Sequence, residues 1–226
     1  MEILTFEQLP QGGFAGLIEK QFVKDSKVFS PIRKGIAADG IGNFVYLADA
    51  NFLPHGETRM HPHHEIDVIS VMVEGEITHQ GSLEHGQSLV VGQAQVQRAG
   101  GEGFSHNEIN PNGSYNQLIQ LWVLPENAGE PSGYKVYQPK KNELTTIYGG
   151  DKSQSETFDS HTYLKLANVD ADTELSQSGQ ALAYLSKGDA IISGQTIKAR
   201  SLIKVDDGFT YKALSAGQLI VITTNH

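Results

Sequence analysis

Apolar positions along this chain fall in short runs broken by glycine or proline, and nowhere sustain the three-to-four-residue spacing of an amphipathic helix. Residues 1–41 read as an arm and early strands. Residues 42–50 (G-N-F-V-Y-L-A-D-A) have the β-branched and aromatic content of a strand, and 51–60, with Pro54 and Gly56, form a turn-rich loop leading to His61. Pro62 has no amide donor, so it belongs at a strand start or a sheet edge. Residues 66–74 (I-D-V-I-S-V-M-V-E) form the most apolar run of this half, expected as a buried central strand that Gly75 turns into a hairpin with 76–80. Further strands are expected at 88–91, 94–98 and 115–123. Many short strands with no helical block between them define an all-β fold, a barrel or sandwich.

The character changes at residues 124–141, where Pro125, Pro131 and Pro139 join Gly129 and Gly133 and apolar residues thin out, as expected of a connection. Strand rhythm then resumes at 162–167, 181–185, 190–192, 201–205 and 218–223. The expected organisation is an N-terminal domain over 1–125, a linker over 126–141 and a second β domain over 142–226.

A chain of 226 residues accommodates one large domain or two small ones, and its formal net charge of −9 disfavours a nucleic-acid surface, as does the lack of any Lys/Arg run longer than a pair such as Lys140-Lys141. There is no cysteine, so any metal site must be built from histidine and carboxylate. The N-terminal residues lack a basic stretch followed by an apolar run, and no segment approaches the ~20 apolar residues of a membrane span. The cytoplasm is therefore the expected compartment.

The candidate chemistry lies in two pairs, His61-Pro62-His63 and His106-Asn107-Glu108. Residues two apart on a strand share a face, with Cα atoms roughly 6.5–7 Å apart. If the two strands sit side by side or face one another, three imidazoles and one carboxylate converge. Such a set suits a divalent first-row metal: iron(II), manganese, nickel, copper or zinc. Of nine histidines only His161 and His226 lie beyond residue 106, so the second domain is expected to hold no metal. Glu65, Asp67 and Glu102 are candidate acceptors for the ligand imidazoles, with simple solvation as the alternative. His64 should point away from the site or lie at its rim, His55 and His85 read as loop residues, and Leu118, Gln120 and Trp122 read as pocket lining or core. The Gly100–Gly103 run has no following helix and does not read as a phosphate loop.

The stretches H-P-H-H-E-I-D at 61–67, V-E-G-E at 73–76 followed by His79, G-G-E-G-F-S-H-N-E at 100–108 and Q-L-W-V-L-P-E at 120–126 resemble the pirin-like proteins of the cupin superfamily. The resemblance implies two tandem cupin, jelly-roll-type β-barrels, with His61, His63, His106 and Glu108 at the four positions that bind one metal, commonly iron. His79 would line the pocket. It further implies either a quercetin 2,3-dioxygenase-type activity, opening a flavonol ring with O2 and using Glu108 as base, or a non-enzymatic regulator that binds a protein partner in a metal-dependent way. Three features depart from the family's usual pattern: His64 in place of Arg or Lys, Gly81 in place of Asp, and the Arg98-Ala99-Gly100 triplet.

Overall fold

The computed structural model describes residues 1–225; His226 lies outside the described residues. The chain divides into two compact units, one of residues 9–39 and 43–138, the other of residues 1–8, 40–42 and the chain from Pro139 onward. The strands up to residue 138 are β1 (Glu2–Thr5), β2 (Gly12–Phe14), β3 (Leu17–Lys24), β4 (Phe44–Phe52), β5 (His61–His63), β6 (Asp67–Glu74), β7 (Glu76–Gly81), β8 (Gln87–Val90), β9 (Ala94–Arg98), β10 (Phe104–Ile109), β11 (Gln117–Val123) and β12 (Gly133–Tyr137). In the first-named unit they form a seven-stranded antiparallel sheet in the order β12-β9-β6-β11-β4-β3-β2 and a four-stranded sheet in the order β5-β10-β7-β8. Leu17, Phe52, Met72 and Leu118 of the larger sheet pack with Ile77 and Leu89 of the smaller, closing one end of the space between them.

Pro62 lies on β5, an edge strand, where its missing donor leaves no ladder bond unmade. The hairpin expected at Gly75 does not form. Gly75, at φ +76, carries the chain from one sheet to the other: β6 pairs with β9 and β11, and β7 pairs with β8 and β10. The burial patterns give the reason. Seven consecutive buried residues in β6 require cover on both faces, whereas β7 alternates buried with half-buried positions and suits an outer sheet.

Two further stretches depart from the sequence expectation. Within 126–141, read as linker, β12 adds to the edge of the large sheet against β9, its tyrosines supplying strand character between the prolines. At the other end, β1 pairs with β19 (Ser201–Val205) of the second unit, so the opening residues do not belong to the first.

The second unit also contains β13 (Thr145–Gly150), β14 (Ser160–Val169), β15 (Glu174–Ser178), β16 (Ala181–Lys187), β17 (Ala190–Ile192), β18 (Gln195–Ile197), β20 (Gly208–Ala213) and β21 (Gly217–Thr224). A six-stranded sheet, β1-β19-β16-β21-β14-β13, and a four-stranded sheet, β15-β20-β17-β18, enclose an apolar interior that includes Leu185, Ile192, Ile203, Phe209 and Val221. The all-β expectation of two tandem cupin-type units therefore holds, each built from a larger and a smaller sheet. Among the described residues no helix is long and apolar enough to cross a membrane.

Ile77 is fully buried where the two sheets of the first unit meet. Ile77→Ala is expected to cost about 2–5 kcal/mol in denaturant unfolding. A loss below about 1 kcal/mol would show that the contact does not hold the sheets together.

Candidate metal centre

The antiparallel pairing of β5 with β10 sets His106 directly opposite His61, and Phe104 opposite His63. The two histidine-bearing strands thus lie side by side. His106 Nε2 is 3.1 Å from His61 Nε2 and 3.2 Å from His63 Nε2, and the ligand atoms of the three residues all lie within 4.8 Å of one another. Ligands bonded at about 2.1 Å lie about 3.0 Å apart at right angles and about 3.4 Å apart in a tetrahedron. The observed spacings fall between these two values, so the three imidazoles fit a single ion.

The ring tautomers agree. Arg59 sits at φ +64, a conformation that non-glycine residues seldom take, and its carbonyl accepts the Nδ1–H of His61 at 2.8 Å. That fixes the proton on Nδ1 and leaves the Nε2 lone pair free for a metal. His106 is 1% exposed, and its Nδ1 has no hydrogen-bond partner. Desolvation by burial, then the neighbouring His61, pulls His63 down to about 4. Burial followed by His63, His61 and His79 depresses His106 to about 2. Both rings are thereby held neutral, the form that binds metal.

Glu108 shares the inward face of β10 with His106 and lines the same cavity. Its carboxylate crosses to the large sheet, where Oε1 accepts from Ser70 Oγ at 2.6 Å and from Gln95 Nε2 at 2.7 Å. Ser70 and Gln95 are register partners on β6 and β9. Tyr134, from the stretch read as linker, donates to Gln95 Oε1 at 3.0 Å and so turns the amide nitrogen toward Glu108. Oε2 has no partner among the described residues. Burial raises Glu108 to about 7, with the Ser70 and Gln95 hydrogen bonds opposing the shift. The tight cluster itself comprises the three histidines without Glu108.

Other expected residues fall as follows. His64 is exposed, on the Gly101 carbonyl at 3.2 Å, away from the cluster. His79 is fully buried against the rings of His106 and Tyr134, behind the cavity lining rather than in it. The Gly81 departure has a steric counterpart here, since a Cβ at Gly81 would meet His79 Nε2 at 2.7 Å. Glu65 accepts from Gly129 N–H, Asp67 pairs with the buried Arg98, and Glu102 accepts from Ser132, so these three brace loops and the sheet. Gly100, at φ +54, is a turn residue at which an added Cβ would collide with the Glu130 carbonyl. Leu118, Gln120 and Trp122 line the cavity, together with Phe14, Glu19, Tyr46 and Phe52. Ser70, Gln95, Glu19 and Tyr134 were missed from the sequence. A polar residue in the middle of a wholly apolar strand, as Ser70 is in I-D-V-I-S-V-M-V-E, was the available signal.

Paired cupin-type units and a histidine cluster between the sheets of one of them define a bicupin with a candidate metal centre. Residues 33–123 match the family model described as Pirin. Known structures agree over the whole length: an Escherichia coli bacterial pirin, YhhW, in complex with nickel(II), superposes with a TM-score of 0.79 at 16% identity, covering 98% of this chain and 97% of that one. A Pseudomonas aeruginosa protein named "Putative quercetin 2,3-dioxygenase PA1210" is 27% identical over 72% of this chain and 75% of its own. The quercetin 2,3-dioxygenase of E. coli K12 is 32% identical over 33% of this chain and 32% of its own. The match spans about half the length of the relatives from Zymomonas mobilis (48%) and Pasteurella multocida (46%). The chain is thus similar in sequence to the Pirin family over residues 33–123 and similar in fold to a bacterial pirin over nearly its whole length.

Two outcomes are expected. Purified protein should take up about one divalent metal per chain, and His63→Ala or His106→Ala should lower the affinity at least ~100-fold, as removal of one of few ligands does. Unchanged metal content in both variants by elemental analysis would contradict the site. In the metal-free protein the folded His63 value lies below its unfolded value near 6.5, so its contribution to stability is complete above pH 6.5 and lost as pH falls toward 4. Glu108 runs the opposite way, its contribution complete below about 4.5 and lost as pH rises through 7. Nitrogen-15 NMR of the metal-free protein at pH 5.5 should find His63 neutral; an imidazolium there would contradict the burial argument.

Proposed function

We propose that the N-terminal unit is a metal-dependent dioxygenase site that opens the ring of a flavonol-type aromatic enol with O2, with His61, His63 and His106 holding the metal and Glu108 completing the site as ligand or base. The observation that carries the reading is a buried carboxylate, raised to about 7, lining the same cavity as the three clustered imidazoles. When bound, the metal supplies the redox and Lewis-acid chemistry that joins O2 to an electron-rich substrate. The names of the E. coli and P. aeruginosa relatives support this reaction class.

The chain's own part is proton transfer and placement. Glu108 Oε2, free of protein donors, takes the enol proton, and a value near 7 makes the carboxylate able both to accept and to return it at neutral pH. Ser70 and Gln95 anchor Oε1 so that Oε2 stays turned to the cavity. Phe52, Leu118 and Trp122 give the substrate rings an apolar wall and keep bulk water from the reacting end. The cavity measures ≈ 40 Å³, too small for a flavonol as it stands, and Phe14 lines it half exposed on the edge strand β2, edge-on to His61 at 6.4 Å. Phe14 is therefore the side chain that moves aside for an entering ring system.

Oxygen consumption by the metal-loaded protein with quercetin tests the reading. Wild type should consume O2 with loss of the flavonol absorbance, and Glu108→Gln should slow this ~10²–10⁴-fold, the range of a general base. Metal-loaded protein that binds quercetin without consuming O2 would overturn the enzyme and return the chain to the regulator reading.

A further inference from the structure

A second carboxylate faces the same cavity. Glu19 on β3 is 8% exposed and lines the space together with His61, His63, His106 and Glu108. Gln21 Nε2 donates to its Oε1 at 2.6 Å, and Tyr46 Oη donates to its Oε2 at 3.2 Å. Gln21 Nε2 also reaches Tyr46 Oη at 3.2 Å, closing a three-residue network. No cation is ion-paired with Glu19 among the described residues. Burial raises its carboxyl above the usual range, with the two hydrogen bonds and Lys24 opposing.

The sheet register sets this network apart from Ser70 and Gln95, the anchor of Glu108. Across the large sheet Gln21 pairs with Ala48, Ala48 with Gln120, Gln120 with Ser70, and Ser70 with Gln95. One end of this row holds Glu108 through Ser70 and Gln95; the other carries the Glu19 network. Three strand spacings lie between β3 and β6, ~14 Å measured at the backbone. Between the two ends lie Ala48, Ala50, Leu118 and Gln120, of which only Gln120 is polar. Tyr46 stacks on Trp122 with ring centroids 4.3 Å apart, so the wall leading to Glu19 is aromatic.

A structural role as a brace for Tyr46 needs one acceptor atom, which an amide supplies at a smaller desolvation cost than a carboxylate. Glu19 instead presents two oxygens, each engaged by a single donor and each with acceptor capacity left, at an apolar cavity. We infer that Glu19, oriented by Tyr46 and Gln21, is a second polar subsite that accepts hydrogen bonds from hydroxyl groups on the aromatic ring of the ligand that lies away from Glu108. The inference rests on the flavonol reading of the cavity and deepens it: the preferred ligand carries hydroxyls at both ends, an enol at the metal end and phenolic donors at the Glu19 end. Glu19 is then a specificity-determining residue with no part in the reaction itself.

Trp122 is the single tryptophan of the chain and lines the cavity, so its fluorescence reports occupancy without turnover. Metal-loaded wild type, Glu19→Gln and Glu19→Leu would be titrated with quercetin and with the same flavonol lacking the hydroxyls of its pendant ring. Wild type is expected to favour quercetin about tenfold or more, the value of a hydrogen bond to a charged acceptor. Glu19→Gln should reduce the preference to a few-fold and Glu19→Leu should abolish it, while affinity for the unhydroxylated flavonol stays within about twofold of wild type. Near-UV circular dichroism checks that each variant keeps its fold; if Glu19→Leu does not, Tyr46→Phe and Glu19→Gln carry the comparison. An absent preference in wild type, or one that survives in the folded variants, overturns the inference. Should neither flavonol quench wild-type Trp122, the flavonol reading fails by itself, and catechol against benzene decides the subsite. Hydroxyl-dependent quenching that is lost with Glu19 upholds it, and no such quenching overturns it.

Discussion

Three imidazole nitrogens held 3.1 and 3.2 Å apart in a desolvated pocket are the constraint on which the rest of the N-terminal unit depends. Where all three rings turn lone pairs to one point they repel, and protonation is opposed by burial, so that arrangement costs free energy unless a cation occupies the centre. The cost is imposed by the sheet. Pairing of β5 with β10 fixes the backbone, the edge position tolerates Pro62, and the left-handed Arg59 locks one ring through its carbonyl.

The large sheet answers the small one. Its inner face, set by β4, β6, β9 and β11, places polar side chains in one row and small residues beside them, so the space that another β unit would fill with leucine and isoleucine stays open here. The contrast lies within the same chain: the C-terminal unit uses the same two-sheet plan and fills its interior with Leu185, Ile203, Phe209 and Val221. Ser70, Gln95 and Tyr134 form a chain of hydrogen bonds that ends on Glu108, so the carboxylate belongs mechanically to both sheets. Its elevated value near 7 follows from that burial, and without the two donors it would lie higher still.

Much of this was legible in the sequence because it depends on local periodicity. Short runs bounded by glycine gave the all-β class, and the two-residue spacing of His61/His63 and His106/Glu108 gave the face shared by each pair. What was not legible depends on which strands become neighbours. Gly75 reads as a hairpin turn in a one-dimensional pattern, yet the burial demands of β6 send β7 to the other sheet. β12 hides among prolines because an edge strand needs only one pairing partner. Glu19, some ninety residues from Glu108, meets the same cavity only through the register of β3 with β4 and of β4 with β11, which no local motif encodes.

One metal is expected among His61, His63 and His106. X-ray absorption fine structure of the metal-loaded protein counts those ligands directly. The account predicts three imidazole nitrogens at about 2.0–2.2 Å with oxygen completing the sphere; a sphere with one imidazole or none would contradict it.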